Sequence, residues 1–302
     1  MTALASEIRP AEHPPLAPAE PAPRAVRRRR HPWRTGIFHV SSSVIALAWF
    51  VPILIVVVTS FRSFDDIAAN GIGSLPHSFT LQTYVDAWTQ GGLFQALINS
   101  MIVTIPTVFL TLLLSAAAAF GLSRYRIPFR RTILLIMLAG NLLPVQMILI
   151  PIARVSQQLN VYDTLAAVIA VQTAFGLGFY TFVLYGFMRS IPGELQDAAS
   201  IDGAGTVRIF FQIILPLTRP ALAALGALSF TWIFNDLLWS ITLLQTTSKM
   251  PTTAAVLSLQ GQYVSSWSVI AAATVIAAIP STLVFLIFQR SFIGGLALGS
   301  VK

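Results

Sequence analysis

The chain has 302 residues, of which 55% are hydrophobic and only 10% charged, with a mean hydropathy of +0.75. Soluble domains carry about 25% charged residues, so the composition excludes a soluble globular domain and indicates a multi-pass membrane protein. There is no cysteine, which excludes disulfides and thiolate metal sites, and the net charge of +8 suits a membrane face rich in anionic lipid.

Residues 1–38 read as a disordered cytoplasmic tail rich in Pro, Ala and Arg. Six of the 18 prolines fall within residues 1–26, and such a segment cannot bury enough apolar surface to order itself. The run Arg27-Arg28-Arg29-Arg30 adjoins an apolar span without an aromatic-interleaved domain around it, so it reads as a membrane-surface feature and nucleic-acid binding is not expected. His13, His31, His39 and His77 show no metal-ligand spacing. From residue 39 to 302 the chain reads as one six-span domain. A bilayer crossing needs about 20 apolar residues, and the candidates lie near 40–60, 99–122, 132–153, 164–187, 220–244 and 267–289. The runs are continuous rather than alternating, which predicts helices and not a barrel. Pro106, Pro144 and Pro151 predict kinks in spans two and three.

Orientation follows from the basic residues. With the N-terminus inside, sixteen Lys and Arg residues fall on the cytoplasmic side and three (Arg62, Arg154, Lys249) outside. Both termini and the connection 189–219 are therefore expected in the cytoplasm of a cell-membrane protein. Inside the spans, Asn141 and Gln146 (third), Gln172 (fourth) and Asn235 and Asp236 (fifth) are candidates for a solute path. Each could equally be a helix–helix hydrogen bond. The sequence carries no Gly-rich phosphate loop, no catalytic triad and no metal cluster. The chain is expected to be no enzyme, with no catalytic residue, metal or cofactor of its own.

The 189–219 connection has an ordered pattern. Pro192 suits a first helical turn, with Glu194 favourably near the positive helix end. Leu195, Ala198 and Ala199 make a narrow apolar stripe, and Asp202-Gly203 reads as a turn in which glycine tolerates positive φ. A second amphipathic helix carries Phe210, Ile213 and Ile214 on one side and ends at Leu215-Pro216.

The spacing Asp197-Ala198-Ala199, three residues, Gly203, nine residues, Ile213, one residue, Leu215-Pro216 resembles the EAA loop of ABC importer permeases. The one departure is Asp197 where that family usually has Glu. The resemblance implies that the loop docks a separate ATPase through Glu194, Asp197, Ala198, Ala199, Asp202, Gly203, Ile213, Leu215 and Pro216. The stretch Thr231 to Trp239, the Gly-rich end from Phe288 to Lys302, and Phe79 to Tyr84 with Asn99-Ser100 are similar to the smaller permease of maltose-type sugar importers. That likeness covers roughly residues 40–302. It implies an all-α, six-span permease subunit for a sugar or oligosaccharide. Its partners would be a homologous second permease, two copies of an ATP-binding subunit holding the ATP and Mg, an extracytoplasmic solute-binding protein, and membrane lipids. An importer of a non-sugar solute, or a stand-alone secondary transporter, are the alternatives; only one mid-span charge speaks for the latter.

Overall fold

In hydrocarbon every backbone polar group must be bonded within the protein, which makes helices of long apolar runs. The structure, a computed structural model, describes residues 32–89, 91–260 and 266–298, with side chains between 37 and 289. Most of the expected tail and residues 299–302 lie outside the described residues. The helices in chain order are α1 (Pro32–Ser60), α2 (Phe64–Asn70), α3 (Gln82–Thr89), α4 (Leu93–Arg124), α5 (Arg130–Ala139), α6 (Leu149–Gln158) and α7 (Leu165–Ser190). There follow α8 (Glu194–Ile201), α9 (Thr206–Ile209), α10 (Leu215–Leu217), α11 (Arg219–Phe234), α12 (Leu238–Leu243), α13 (Thr252–Ser258) and α14 (Trp267–Leu298). Among the described residues there is no strand, in keeping with the all-α reading.

The chain divides into two units, Met1–Val51 and Pro52–Lys302, with Pro52 inside α1. In the first unit α1 is apolar from Val44 onward, and the Ser41 hydroxyl bonds back to the Phe38 carbonyl at 3.1 Å. The second unit holds the core.

Four of the six expected spans are single helices long and apolar enough to cross a bilayer: Ile37–Ser60, Leu93–Arg124, Leu165–Ser190 and Trp267–Gln289. The other two are broken. The span expected at 132–153 stops at Ala139 and continues through 3-10 turns at Gly140–Leu142 and Val145–Met147 before α6. Pro144 thus makes a full break rather than a kink, because it drives Leu143 into extended backbone (φ −70°, ψ 135°). Pro151 falls in the first turn of α6, where a missing N–H costs little, and Pro106 leaves α4 helical throughout. The span expected at 220–244 is α11 and α12 separated at Asn235–Leu237. The 16 residues of α11 rise about 24 Å, short of the roughly 30 Å hydrocarbon core.

The centre of the second unit is α4 against α7. The buried face of α4 includes Ser100, Val103, Thr104, Thr107, Thr111, Ser115, Ala116 and Ala119, which recur at helical spacing and are mostly small. On α7, a side chain at Gly176 would come within 2.6 Å of the Thr111 methyl, and one at Gly178 would collide with the Met137 carbonyl of α5. Those two glycines let α4 and α5 lie directly on the α7 backbone.

Polar clasps tie the end of the unit opposite the 189–219 connection. Arg62 is 1% exposed; it donates to Asp66 at 2.8 Å, to the Ile72 and Ser74 carbonyls at 3.2 and 3.1 Å, and to the Ser74 hydroxyl at 2.7 Å. Asn99 donates to the Ser248 and Met250 carbonyls at 2.8 and 3.1 Å, and the Ser100 hydroxyl meets Thr252 at 2.9 Å. Asp163, in left-handed backbone (φ 57°), accepts from the Thr246 hydroxyl (2.6 Å), from the Gln245 and Thr246 N–H groups (2.8 and 3.0 Å), and from Lys249 (2.9 Å). These bonds, that of the Thr246 hydroxyl foremost, hold its carboxyl well below the ordinary carboxylate range. Because the folded value lies below the unfolded one, the clasp contributes fully above the ordinary value of 3.8 and weakens as pH falls below it. Asp163→Asn should lower the melting temperature at neutral pH and flatten its decline below pH 4. Melting curves of both proteins across an acid series would test this, and parallel curves would refute the clasp.

Candidate functional site

The 189–219 segment folds as a helix-turn-helix. Its first helix, α8, starts at Glu194, two residues later than a Pro192 first turn requires; the Gly193 carbonyl accepts from the N–H groups of Gln196 (2.9 Å) and Asp197 (3.1 Å). Glu194 and Asp197 occupy the first turn, where carboxylates are favoured by the helix dipole. The helix closes by a Schellman pair of bonds: Ala204 N–H to Ala199 carbonyl at 2.9 Å and Gly203 N–H to Ser200 carbonyl at 3.1 Å. That closure needs the left-handed φ of +79° at Gly203, as the Asp-Gly turn reading required. Nothing lies within 4 Å of a β-carbon built there, so the need is for backbone conformation and not for space.

The expected docking residues divide into two sets. Glu194, Asp197, Ala198, Asp202 and Gly203 are exposed. Ala199 points inward and is buried with Ile209, Phe210 and Ile214 against α4, α7 and α11. Ile213, Leu215 and Pro216 are half-buried, so the apolar side of the second helix faces mainly the core. Two residues that the apolar stripe does not mark project from the same surface, Ile201 at 86% and Val207 at 70% exposure. Their signal is an apolar residue set beside a turn and off the stripe. The exposed set offers two carboxylates near a helix start, a third at the turn, and two apolar tips.

This surface is fixed to the membrane helices. The Arg124 guanidinium, at the end of α4, donates to the Met188 and Ile191 carbonyls at 2.8 and 3.0 Å, capping the end of α7. Tyr125 reaches the Thr206 hydroxyl at 3.1 Å, and the Phe120 and Phe210 rings are 5.2 Å apart. Leu215-Pro216 does not end the second helix. After α9 it passes through a π-turn at Phe210–Ile214, runs on to Leu217, and bends 75° at Thr218 into α11. The proline lacks an N–H and its ring crowds the carbonyl four residues back, which the wider turn relieves. Thr218 is buried and bonds the Ile214 carbonyl through both its N–H (3.0 Å) and its hydroxyl (2.7 Å).

Of the polar residues in the spans, three gather at the α11–α12 break. The Asp236 carboxylate accepts from Gln172 on α7 (3.1 Å) and from the Trp239 N–H (3.2 Å), while its carbonyl accepts from Thr253 (2.6 Å). Asn235 donates to the Thr231 carbonyl (2.8 Å) and to Ser281 on α14 (3.1 Å). The Gln172 side-chain oxygen is buried and, among the described residues, has no hydrogen-bond partner. Asn141 and Gln146 stand apart on the 3-10 turns of the other break, both exposed, with Asn141 donating to the Met137 carbonyl at 3.3 Å. Among the described residues no cluster of three His, Asp or Glu is placed to hold a metal ion.

Comparison with known proteins fits this geometry. Residues 98–296 match the family described as binding-protein-dependent transport system inner membrane component. The chain is 33% identical over 271 residues to the diacetylchitobiose uptake system permease protein NgcG of Streptomyces coelicolor, covering 88% of this chain and 89% of that protein. It is 30% identical over 267 residues to the melibiose/raffinose/stachyose import permease protein MelC of Bacillus subtilis, covering 88% and 96%. In fold it resembles a chain of a bacterial ABC transporter involved in the import of the acidic polysaccharide alginate, with a TM-score of 0.72 at 22% identity over 86% of this chain and 97% of that one. With relatives this similar over most of its length and a family match spanning α4 to α14, the chain is a multi-pass membrane protein and belongs to the family of inner-membrane components of binding-protein-dependent transport systems, the permeases of ABC importers.

Proposed function

We propose that this chain forms half of the translocation path of an ATP-driven importer for a sugar or oligosaccharide. The other half is a homologous permease, two ATPase copies holding the ATP and Mg dock at the cytoplasmic loops, and an extracytoplasmic solute-binding protein delivers the solute. The chain itself catalyses nothing and holds no cofactor. It crosses the membrane six times with both termini in the cytoplasm, counting the broken pairs α5–α6 and α11–α12 as one span each. The observation that carries the reading is the exposed helix-turn-helix anchored at Arg124, Phe210 and Thr218. A surface so anchored transmits movement of a docked partner to α4, α7 and α11 as rigid-body motion. The docking contacts are Glu194, Asp197, Ala198, Asp202 and Gly203 with the tips Ile201 and Val207; Ala199, Ile213, Leu215 and Pro216 hold that surface in place. The sugar assignment rests on the two relatives named for saccharide uptake and on polar groups at both span breaks, since unwound backbone is tolerated at membrane depth where it lines a cavity. Gln172, Asn235 and Asp236, with Asn141 and Gln146 at the second break, are the solute-path residues.

Gly203→Leu should reach the membrane at normal levels and lose the ATPase, because left-handed backbone costs a β-carbon-bearing residue about 1–2 kcal/mol and the Schellman closure would open. Stoichiometric co-purification of the ATPase with this variant would defeat the docking assignment.

Topology can be read by thiol labelling, as the chain has no native cysteine. Single cysteines at Ser200 and Thr247, both exposed, should react from opposite faces, Ser200→Cys only after the membrane is permeabilised. Labelling of both in intact cells would overturn the six-span arrangement.

At the α11–α12 break, Asp236→Asn retains an oxygen for Trp239 and Gln172 and should assemble with near-normal melting but altered solute uptake. Asp236→Leu strands both donors and should lower stability by about 1–3 kcal/mol. Unchanged uptake in Asp236→Asn would make this residue a tie between helices and remove it from the path.

A further inference from the structure

A cavity of about 480 Å³ runs along the membrane-facing side of the second unit between α4, α11 and α14. Its walls include Phe109, Leu112, Leu222, Gly226, Val284 and Phe288, with Leu215 of α10 at one end. Every lining residue is apolar. A sugar entering it would surrender its hydrogen bonds to water and find none in return, so this cavity is no part of the solute path. Lateral opening is shown by Ile105 and Phe109, each more than half exposed although they line it. At Gly226 a β-carbon would just touch the Leu112 methyl at 3.4 Å, so the glycine keeps the floor of the groove low.

The α11 wall is made by Leu222, Ala223, Gly226 and Phe230, a stripe of one helix face at spacings of three and four. Counting back three residues from Leu222 along the same stripe reaches Arg219, the first residue of α11. Arg219 is exposed and makes no hydrogen bond or ion pair among the described residues. A cation is thus placed one helical turn before Leu222, on the extension of the groove's α11 wall and toward the end expected to carry the excess of Arg residues.

We infer that this groove is a binding site for one anionic phospholipid, with an acyl chain between α4, α11 and α14 and its phosphate at Arg219. The occupant matches both halves of the site: a hydrocarbon chain satisfies an all-carbon lining, and a phosphate diester satisfies a guanidinium left unpaired among the described residues. A neighbouring protein helix would match the lining but would leave the cation unanswered. Because the acyl chain touches Leu215, it lies against the helix that links the exposed 189–219 surface to α11. The bound lipid would therefore stiffen the 75° bend at Thr218, whichever solute is carried.

The test uses the importer purified from membranes with all its subunits and placed in phosphatidylcholine nanodiscs. The probe is phosphatidylglycerol with a photoactivatable diazirine near the end of one acyl chain. Cross-links are expected in peptides containing residues 105–113, 222–230 and 284–288. Unlabelled phosphatidylglycerol should suppress them several-fold more effectively than phosphatidylcholine. Gly226→Leu should fill the groove and abolish the cross-links. Arg219→Gln, at an exposed position that does not endanger folding, should erase the preference for the anionic lipid, and Arg219→Lys should restore it. Equal competition by the two lipids in the unmodified protein would reduce the groove to general lipid contact and overturn the proposal. So would cross-links that appear only after the chain is stripped of its partner subunits, since a protein would then occupy the groove. Cross-links that persist in an assembled Gly226→Leu complex would overturn it as well.

Discussion

Helices α4 and α7 meet along residues too small to hold them apart, with Thr107, Thr111, Ser115 and Ala119 on one side and Gly176 on the other. Lipid tails are as apolar as leucine, so no hydrophobic force drives two helices together inside a bilayer; close van der Waals packing has to do it. Several elements of the second unit take their positions from this pair. The helix α5 rests on α7 at Gly178, where there is no room for a side chain. The 189–219 segment packs on Phe120 and Met188, near the ends of the same two helices. Arg124 then joins those ends by donating from α4 to the last carbonyls of α7. The direction in which the exposed turn points is therefore set by the α4–α7 contact.

The two breaks are built in different ways. At Asn235–Leu237 the freed groups find partners close by: the Trp239 N–H is taken by the Asp236 carboxylate, the Asp236 carbonyl by Thr253, and the Thr231 carbonyl by the Asn235 amide. Short-range satisfaction of this kind lets a helix stop within membrane depth without exposing unpaired backbone to hydrocarbon. The break around Pro144 is more open. Its polar side chains, Asn141 and Gln146, are exposed, and facing hydrocarbon would be costly for them.

Much of this was legible in the sequence. Four continuous apolar runs became four long helices, and Asp202-Gly203 announced a turn that only a glycine closes without strain. What a one-dimensional pattern could not give was direction. Ala198 and Ala199 are adjacent small residues of an eight-residue helix, and only tertiary contact decides that one faces outward and the other the core. The prolines carried the same ambiguity. Pro106 sits in a long helix packed on α7 and is absorbed, whereas Pro144 follows Gly140 and Asn141 and ends the helix. Arg124 was hidden by its company. It is one of four arginines in the 2–3 connection, and a count of basic residues treats all of them as markers of sidedness. Its capping of α7 depends on a neighbour 64 residues away.

The π-turn at Phe210–Ile214 makes the spacing of the 189–219 segment a matter of phase. Ile209 and Ile214 are five residues apart and both are almost fully buried, whereas successive residues of an α-helix are rotated by about 100°, so five steps would carry the second isoleucine well off the first one's face. The wider turn, in which the Leu215 N–H reaches back five residues to the Phe210 carbonyl, brings them onto one side. Winding these five residues as regular α-helix, with none removed, would undo that alignment. The surface carrying Asp197, Ile201 and Val207 would then swing by about 100° relative to α11. A chain wound in this way would turn a different face outward, so the wide turn sets the angular register between the exposed 194–207 surface and the membrane helices.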